Sequence, residues 1–230
     1  MTSSSSAPSP RGAFVVAIDG PTASGKGTLA RRLARHLRLA HLDTGLLYRA
    51  VGHAVLADGG DPAEARLAIA AARRLDPTCL GDPALRSEAT GVAASKVAVI
   101  PEVRAALLDF QRRFARTPPG AVIDGRDIGT VVCPDAEAKI FLDGGIECRV
   151  WRREKELRDR GAPIIEGAVL RDLQERDARD RNRAVAPLIR ASDSFVLDTT
   201  DMDADQAFEA ALAFVLSRGF GGSETPAAEM

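Results

Sequence analysis

The stretch AFVVAIDGPTASGKGTLARRLARHLRL, residues 13–39, decides the fold. It begins with an apolar run that closes on aspartate and glycine, a pattern typical of a buried parallel strand. It ends with leucines and alanines at helical spacing and arginines between them, which predicts an amphipathic helix. The segment between, Gly20 to Thr28, carries Gly25 and Lys26 in the spacing GxxxxGK. A glycine-rich segment between a strand and a helix is typical of a phosphate-binding loop.

The chemistry of phosphate binding explains these residue types. Phosphate oxygens must approach consecutive backbone N–H groups, and glycine permits that curvature and that approach. The helix that follows adds its dipole, and the lysine brings positive charge to the β- and γ-phosphates of ATP. We therefore expect ATP to contact the whole loop: Gly20, Pro21, Thr22, Ala23, Ser24, Gly25, Lys26, Gly27 and Thr28.

Length and composition limit the number of domains, the kinds of partner and the cellular compartment that the chain can have. The 230 residues fit one sizeable domain, predicted over 14–220 with a disordered leader at 1–13 and a disordered tail at 221–230. A net charge of −1 argues against a general nucleic-acid binder. Apolar runs fall short of the roughly 20 residues that cross a bilayer, and three cysteines without paired spacing favour a reducing cytoplasm. We expect a cytoplasmic protein without nucleic-acid or membrane partners, and a monomer by default.

The rest of the chain alternates strands and helices. Apolar runs predict five strands, at residues 13–20, 40–43, 121–124, 138–143 and 194–198. Periodicity predicts helices at 28–39, 44–60, 62–74, 85–100, 101–115, 146–159, 167–183 and 204–218. Strands separated by helices imply an α/β fold with a central parallel five-stranded sheet and helices on both faces. Ligands in such folds bind beyond the carboxyl ends of the strands.

Two further charged segments are candidates for a second site. The sequence DGRD ends the third strand and places Arg126 and Asp127 at the binding edge of the sheet. In ERDARDRNR, Arg176, Asp180 and Arg183 are spaced so that they share one helix face. A solvated, internally paired face is the alternative interpretation. The neighbouring phosphate loop favours a functional interpretation of these charges.

Six segments in order carry a resemblance to a known family. They are IDGPTASGKGT (18–28), LDTGLLYRA (42–50), AASKVAVIPEVRAALL (93–108), DGRDIGTVVCPDA (124–136), KIFLD (139–143) and RDRNRAVAPL (179–188). By them the chain resembles the bacterial cytidylate kinases, in the nucleoside monophosphate kinase group of P-loop kinases. The resemblance implies transfer of the γ-phosphoryl group of ATP to CMP or dCMP. It also implies a monophosphate-binding insert at about 44–115, with a shortened link near 75–86, and a lid at about 152–175.

The resemblance also implies roles for individual residues. Nine residues are expected around CMP: Thr44, Arg49 and Arg126 at the phosphate, Ser95, Arg104, Asp127 and Arg183 at the base, and Arg176 and Asp180 at the ribose. Lys26, Arg126 and Arg176 are expected to be catalytic. Mg²⁺ is expected with the ATP phosphates, held by the hydroxyl of Thr28, since Gly27 follows the lysine, and by Asp124 through water. Apart from the resemblance, Tyr48 and Trp151, the one tyrosine and the one tryptophan of the chain, are expected to pack rather than to stack on a base.

Other interpretations stay open at this point. Cytosine presents an N4 amino donor that the carboxylate of Asp127 can accept, whereas uracil presents an oxygen there, yet a kinase that prefers UMP remains an alternative. The string GPTASGK also resembles the phosphate loop of tRNA dimethylallyltransferases, although those proteins place threonine directly after the lysine. A non-catalytic ATP-binding protein would keep the loop but would not need Arg104, Asp127 and Arg183 together.

Overall fold

A computed structural model describes residues 12–162, 164–165 and 167–221. The predicted leader and tail lie outside the described residues except for 12, 13 and 221. Five strands form one parallel sheet in the order β2-β3-β1-β4-β5. They are β1 (Phe14–Asp19), β2 (Ala40–Asp43), β3 (Gly120–Gly125), β4 (Ala138–Asp143) and β5 (Phe195–Asp198). The predicted α/β fold with a central five-stranded parallel sheet is confirmed.

Eight α-helices of the described chain connect and cover the strands. They are α1 (Lys26–Leu37), α2 (Thr44–Ala57), α3 (Ala65–Arg73), α4 (Glu88–Val97), α5 (Pro101–Arg116), α6 (Ile146–Asp159), α7 (Ala168–Asn182) and α8 (Ala204–Ser217). Among the described residues, none of the helices is both long enough and apolar enough to cross a bilayer.

The central strand β1 shows how the two faces of the sheet are covered. Its side chains alternate between faces, as strand geometry requires. Val15 and Ala17 join the core that includes residues of α2, α3 and α5, whereas Val16 and Ile18 join the core of α1 and α8. All four side chains are fully buried. Burial on both faces explains why this strand appears in the sequence as a continuous apolar run.

The insert between β2 and β3 differs from the sequence-based prediction in detail. The helix expected from residue 62 begins at Ala65, after an extended Glu64, so the proline at 62 is not in its first turn. The helix expected over 85–100 starts only at Glu88, because Ser87 is extended and its hydroxyl caps the backbone N–H of Thr90. The shortened link forms two short 3-10 helices, Pro77–Gly81 and Pro83–Arg86.

Helix α4 approaches α2 closely at Gly52. A Cβ added to Gly52 would lie 2.7 Å from the Cβ of Ala93 and 3.0 Å from the Ala93 carbonyl carbon. We expect Gly52→Ala to lower the free energy of unfolding by about 1–3 kcal/mol, because backbone of α4 must shift to make room. Urea denaturation measures this. Gly81→Ala is the matched control, since a Cβ there meets nothing within 4 Å; equal stability of the two variants would contradict the close approach.

Candidate active site

The site lies at the carboxyl ends of the strands, as expected for an open parallel sheet. Asp43 at the end of β2 is level with Asp124 of β3, and β3 in turn pairs with β1, which ends at Asp19. A smaller cavity of about 150 Å³ is lined by Asp43 and Asp124. A larger cavity of about 1050 Å³ is lined by part of the glycine-rich loop, by α6 and by the segment that follows β5.

The glycine-rich loop has the backbone geometry that phosphate binding needs. Gly20 has a φ of 150°, and a Cβ at that position would lie 2.0 Å from the carbonyl oxygen of Leu142. Gly25 has a φ of 95° and immediately precedes α1. No side chain of the described residues caps the first turn of α1. Its orphan backbone N–H groups are therefore available to an anionic ligand.

Lys26 is the buried cation of this loop. Its Nζ donates to the carbonyl oxygen of Pro21 at 2.6 Å and to the hydroxyl of Ser24 at 3.4 Å, both uncharged acceptors. Burial, with a further contribution from the positive charge of Arg126, lowers the pKa of Lys26 to about 7. A desolvated ammonium beside neutral oxygens would be stabilised by phosphate oxygens brought close to it.

The outer part of the glycine-rich loop lines the larger cavity. Ala23, Ser24, Gly25 and Thr28 line it, together with Trp151 of α6. The assignment of Trp151 to packing is wrong, because 61% of this residue is exposed. Volume and position suit the nucleoside part of a nucleotide whose phosphates occupy the loop.

The smaller cavity contains every residue that the resemblance placed around the monophosphate. The predicted residues that line it are Thr44, Arg49, Ser95, Arg104, Arg126, Asp127, Arg176, Asp180 and Arg183. They come from α2, α4, α5, α7 and the segments that follow β3 and α7. Thr22 of the glycine-rich loop also lines this cavity. Tyr48 belongs both to the packed core, as predicted, and to the wall of this cavity.

Asp127 lies between two arginines. One carboxylate oxygen accepts a hydrogen bond from Arg104, and the other lies 3.3 Å from Nη2 of Arg183. The side chains of the three residues are at most 8% exposed. Arg183 was predicted to share a helix face with Arg176, but α7 ends at Asn182 and Arg183 is extended. It reaches the site from just beyond the helix.

Arg126 connects the glycine-rich loop to the wall of the smaller cavity. Its Nε donates to Oδ2 of Asp180 at 2.6 Å, and its Nη2 donates to the hydroxyl of Thr22 at 2.8 Å. Burial alone would raise the pKa of Asp180, but the nearby guanidinium groups of Arg126 and Arg183 outweigh burial and the pKa lies below its usual range. Asp180 is therefore ionised at neutral pH and fixes Arg126 between the phosphate loop and the smaller cavity.

Three of the remaining predicted side chains line the same cavity and are held by hydrogen bonds to backbone oxygens. Thr44 donates its hydroxyl to the backbone oxygen of Asp124 at 2.8 Å. Ser95 donates to the carbonyl oxygen of Val92 at 2.9 Å. Arg49 donates to backbone oxygens at the start of α4. Burial, and then the neighbouring Arg176, lower the pKa of Arg49, which reflects closely spaced cations.

Asp19 and His41 have positions that sequence reasoning did not assign. Asp19 accepts hydrogen bonds from the backbone N–H groups of Ile128 and Gly129, each at 2.8 Å, and thereby fixes the turn that follows Asp127. Burial raises the pKa of Asp19 to about 6. His41 contacts Oδ1 of Asp124 through Nε2 at 2.8 Å. The only signal in the sequence was that Asp19 ends a strand beside the loop.

The two residues expected to hold Mg²⁺, Thr28 and Asp124, are too few to complete the coordination of the ion by themselves. Among the residues that the structure describes, no three His, Cys, Asp or Glu side chains come together in a way that could hold a metal ion. Asp124 offers a buried carboxylate, and its Oδ2 lies 3.9 Å from the position that a Cβ on Gly27 would take. Thr28 lines the larger cavity and Asp124 the smaller one. Mg²⁺ is usually bound through only one or two protein carboxylates together with substrate phosphates. A small number of protein oxygen donors therefore fits this ion.

Comparison with known proteins decides the family. The sequence model described as cytidylate kinase matches residues 16–216. A cytidylate kinase of Rhodospirillum rubrum is 62% identical over 203 residues, which cover 86% of this chain and 95% of that protein. One of Paramagnetospirillum magneticum is 60% identical over 207 residues, 89% of this chain and 98% of that protein. The chain belongs to the cytidylate kinase family.

The solved structures add support at the level of the fold. An uncharacterised protein of Eubacterium ventriosum matches 89% of this chain and 99% of its own, with a TM-score of 0.54 and 16% identity. At that identity the match shows the fold alone. Membership of the cytidylate kinase family also decides against the tRNA dimethylallyltransferase interpretation, which rested only on the string GPTASGK.

Proposed function

We propose that the chain is an ATP-dependent nucleoside monophosphate kinase that transfers the γ-phosphoryl group of ATP to CMP, and to dCMP, giving CDP or dCDP and ADP. The observation that carries the proposal is the smaller cavity, which gathers all nine residues predicted around CMP beside the phosphate loop. Family membership, with relatives named cytidylate kinase at 53–62% identity, supports the same acceptor.

The positive charges of the site counter the electrostatic repulsion between the two phosphates that react. A nucleoside monophosphate is mostly a dianion at pH 7, so its attacking oxygen needs no general base. Two phosphates brought together repel, by about 4 kcal/mol for unit charges about 4 Å apart at an effective dielectric of about 20. Lys26, Arg126 and Arg176 supply the compensating charge as catalytic groups. Arg126 is well placed for this role because it contacts Thr22 of the loop while it lines the smaller cavity, which is the proposed acceptor cavity.

Asp127 is the proposed reader of the base. Its two arginine contacts fix the orientation of the carboxylate, and each carboxylate oxygen keeps a second lone pair for a ligand. The N4 amino group of cytosine is a donor and suits this acceptor, whereas O4 of uracil would face a negative charge. This argument favours CMP over UMP.

Mg²⁺ is the proposed cofactor. Bound with the ATP phosphates, it would neutralise the charge that develops on the transferring group. Asp124 is the proposed protein contact through water, because its carboxylate is buried and its Oδ2 lies 3.9 Å from the Cβ position of Gly27 in the loop. Thr28 remains the proposed hydroxyl ligand within the loop.

We expect Asp180 to contribute to the choice between ribose and deoxyribose. One oxygen of its carboxylate is held by Arg126, and the other lies 3.9 Å from Nη1 of Arg183. If this second oxygen accepts the 2′-hydroxyl, wild-type kcat/KM for CMP exceeds that for dCMP by roughly tenfold, as one hydrogen bond to a charged group allows. Asp180→Asn is expected to bring the ratio close to one. An unchanged ratio in this variant would rule out the contact with the 2′-hydroxyl.

Transfer of label tests the function itself. ATP labelled in the γ-phosphoryl group is incubated with CMP and Mg²⁺, and the products are separated by chromatography. The proposal expects the label in CDP. Label that stays in ATP, or that appears only as inorganic phosphate, would favour a nucleotide-binding protein or an ATPase instead.

Several expectations from the sequence stay predictions. The lid at about 152–175 would span the end of α6 and the start of α7, with residues 163 and 166 outside the described part of the chain. The insert boundaries at about 44–115, the cytoplasmic location, the monomeric state and the absence of nucleic-acid or membrane partners also rest on the sequence.

A further inference from the structure

Glu88 connects helices that are distant in the chain. It is the first residue of α4 and lies two turns before Ser95, so the two residues share nearly the same helix face. Its Oε1 lies 2.8 Å from Nη2 of Arg176 on α7, and its Oε2 contacts Arg153 on α6. The two arginine side chains are 7% and 11% exposed, whereas Glu88 is 49% exposed. A half-exposed carboxylate therefore holds two nearly buried cations.

A third arginine, Arg49, contacts the segment of the chain just before Glu88. Arg49 of α2 donates to the backbone oxygens of Leu85 and Ser87, at 3.0 and 3.1 Å, immediately before α4. The electrostatic neighbours of Arg49 include Arg153, Arg176 and Glu88, and the cations repel one another. Glu88 offsets part of this repulsion and lies where these side chains meet.

The other acidic partners of these arginines cannot provide the same connection. Arg153 also contacts Glu156 at 2.7 Å, but both residues lie on α6. Arg176 also contacts Asp172 at 2.9 Å, and both lie on α7. Such pairs stabilise a single helix. Only a carboxylate on a different element fixes the two helices with respect to the insert.

We propose that Glu88 is a positioning residue for phosphoryl transfer: from the start of α4 it holds Arg176 at the wall of the smaller cavity and, through Arg153, fixes α6 to the insert. The inference rests on the proposed function. A further contact between the end of α6 and the insert is the hydrogen bond that Arg160 donates to the backbone oxygen of Arg86 at 3.3 Å. Because misplacement of a reacting group by about 1 Å can cost up to about 10²-fold in rate, the contact matters through geometry.

Glu88→Gln tests the inference, since it keeps the shape of the side chain and removes its charge. We expect kcat to fall roughly tenfold, with KM for ATP changed by less than about threefold and the melting temperature by only a few degrees. Glu88→Asp, which keeps the charge, is expected to recover part of the rate. Glu175→Gln on α7 is the matched control, because Glu175 is 67% exposed and pairs only with Arg179 of its own helix among the described residues; it should keep the wild-type rate.

A double-mutant cycle separates positioning from a general structural effect. If Glu88 acts through Arg176, kcat of Glu88→Gln combined with Arg176→Gln should match that of Arg176→Gln alone to within about twofold. Fully additive losses, wild-type kcat in Glu88→Gln, or a faster Glu88→Gln enzyme would each overturn the inference. Failure of the wild-type protein to form CDP would instead overturn the proposed function.

Discussion

Lys26→Met is expected to lower kcat by roughly 10²–10³-fold, the loss typical of removing one electrostatic stabiliser of a transition state. Lys26 donates to Pro21 and Ser24 inside the glycine-rich loop, where the γ-phosphoryl group of ATP would lie. Methionine keeps most of the volume and the flexibility of the side chain but has no charge. The measurement is the steady-state rate of CDP formation with saturating ATP and CMP.

The same substitution is expected to stabilise the protein without nucleotide. Burial and Arg126 lower the pKa of Lys26 from 10.5 to about 7. Between these two values the unfolded chain binds more protons at this lysine, so the lysine's destabilising effect is complete below pH 7 and disappears as the pH rises towards 10.5. Lys26→Met should therefore gain most stability over wild type near pH 6.5 and little near pH 10.

Urea unfolding at both pH values tests the stability change, and the kinetic assay tests the charge. Lys96→Met is the matched control, because Lys96 is 46% exposed and its ion-pair distance to Asp61 is 3.8 Å. Turnover of Lys26→Met within a few-fold of wild type would contradict the role of Lys26 in the phosphate loop. An equal change of stability at both pH values, or a loss near pH 6.5, would contradict the buried, charged state of its amine.

Asp127→Asn is expected to raise KM for CMP by roughly 10- to 100-fold while KM for ATP changes by less than about threefold. The amide keeps one acceptor, but its NH₂ group must face either Arg104 or Arg183, both of them donors. Loss of a hydrogen bond to a charged group costs about 1.5–3 kcal/mol, which corresponds to that range. Initial rates with each substrate varied in turn give the two constants.

The control for Asp127→Asn must remove a carboxylate outside the site. Asp205→Asn serves, because Asp205 is 85% exposed and pairs with Arg32 on the outer side of α1. This variant is expected to keep both KM values. Should Asp127→Asn raise the two KM values equally, the carboxylate would have a structural role, and the assignment of base recognition to it would be wrong.

Much of the fold was predictable because local patterns determine it. The run before Gly20 alternates between two buried faces, so β1 appeared as a continuous apolar segment. The GxxxxGK spacing predicted the glycine-rich loop between β1 and α1, and its first glycine has a steric reason, since a Cβ at Gly20 would collide with the backbone of Leu142. The nine residues expected around CMP were located by resemblance, and the fold gathers them in one cavity.

The contacts between these side chains were not predictable. Asp19 caps a turn more than 100 residues away in the chain, and Asp127 pairs with Arg104 and Arg183 rather than with its neighbour Arg126. Glu88 carried no signal because its two partners lie on helices that meet α4 only in the folded chain. Such pairings depend on tertiary structure, which periodicity and motif spacing do not encode.

The most direct test of the central claim is the choice of acceptor. ADP release is followed in a coupled assay with Mg-ATP and with CMP, dCMP, UMP, AMP and GMP in separate reactions. We predict fast turnover with CMP, slower turnover with dCMP and little with either purine nucleotide, because we propose that the carboxylate of Asp127, which lines the acceptor cavity, contacts the base. Equal rates with all five acceptors, or none with any of them, would contradict the proposal that this cavity selects and phosphorylates CMP.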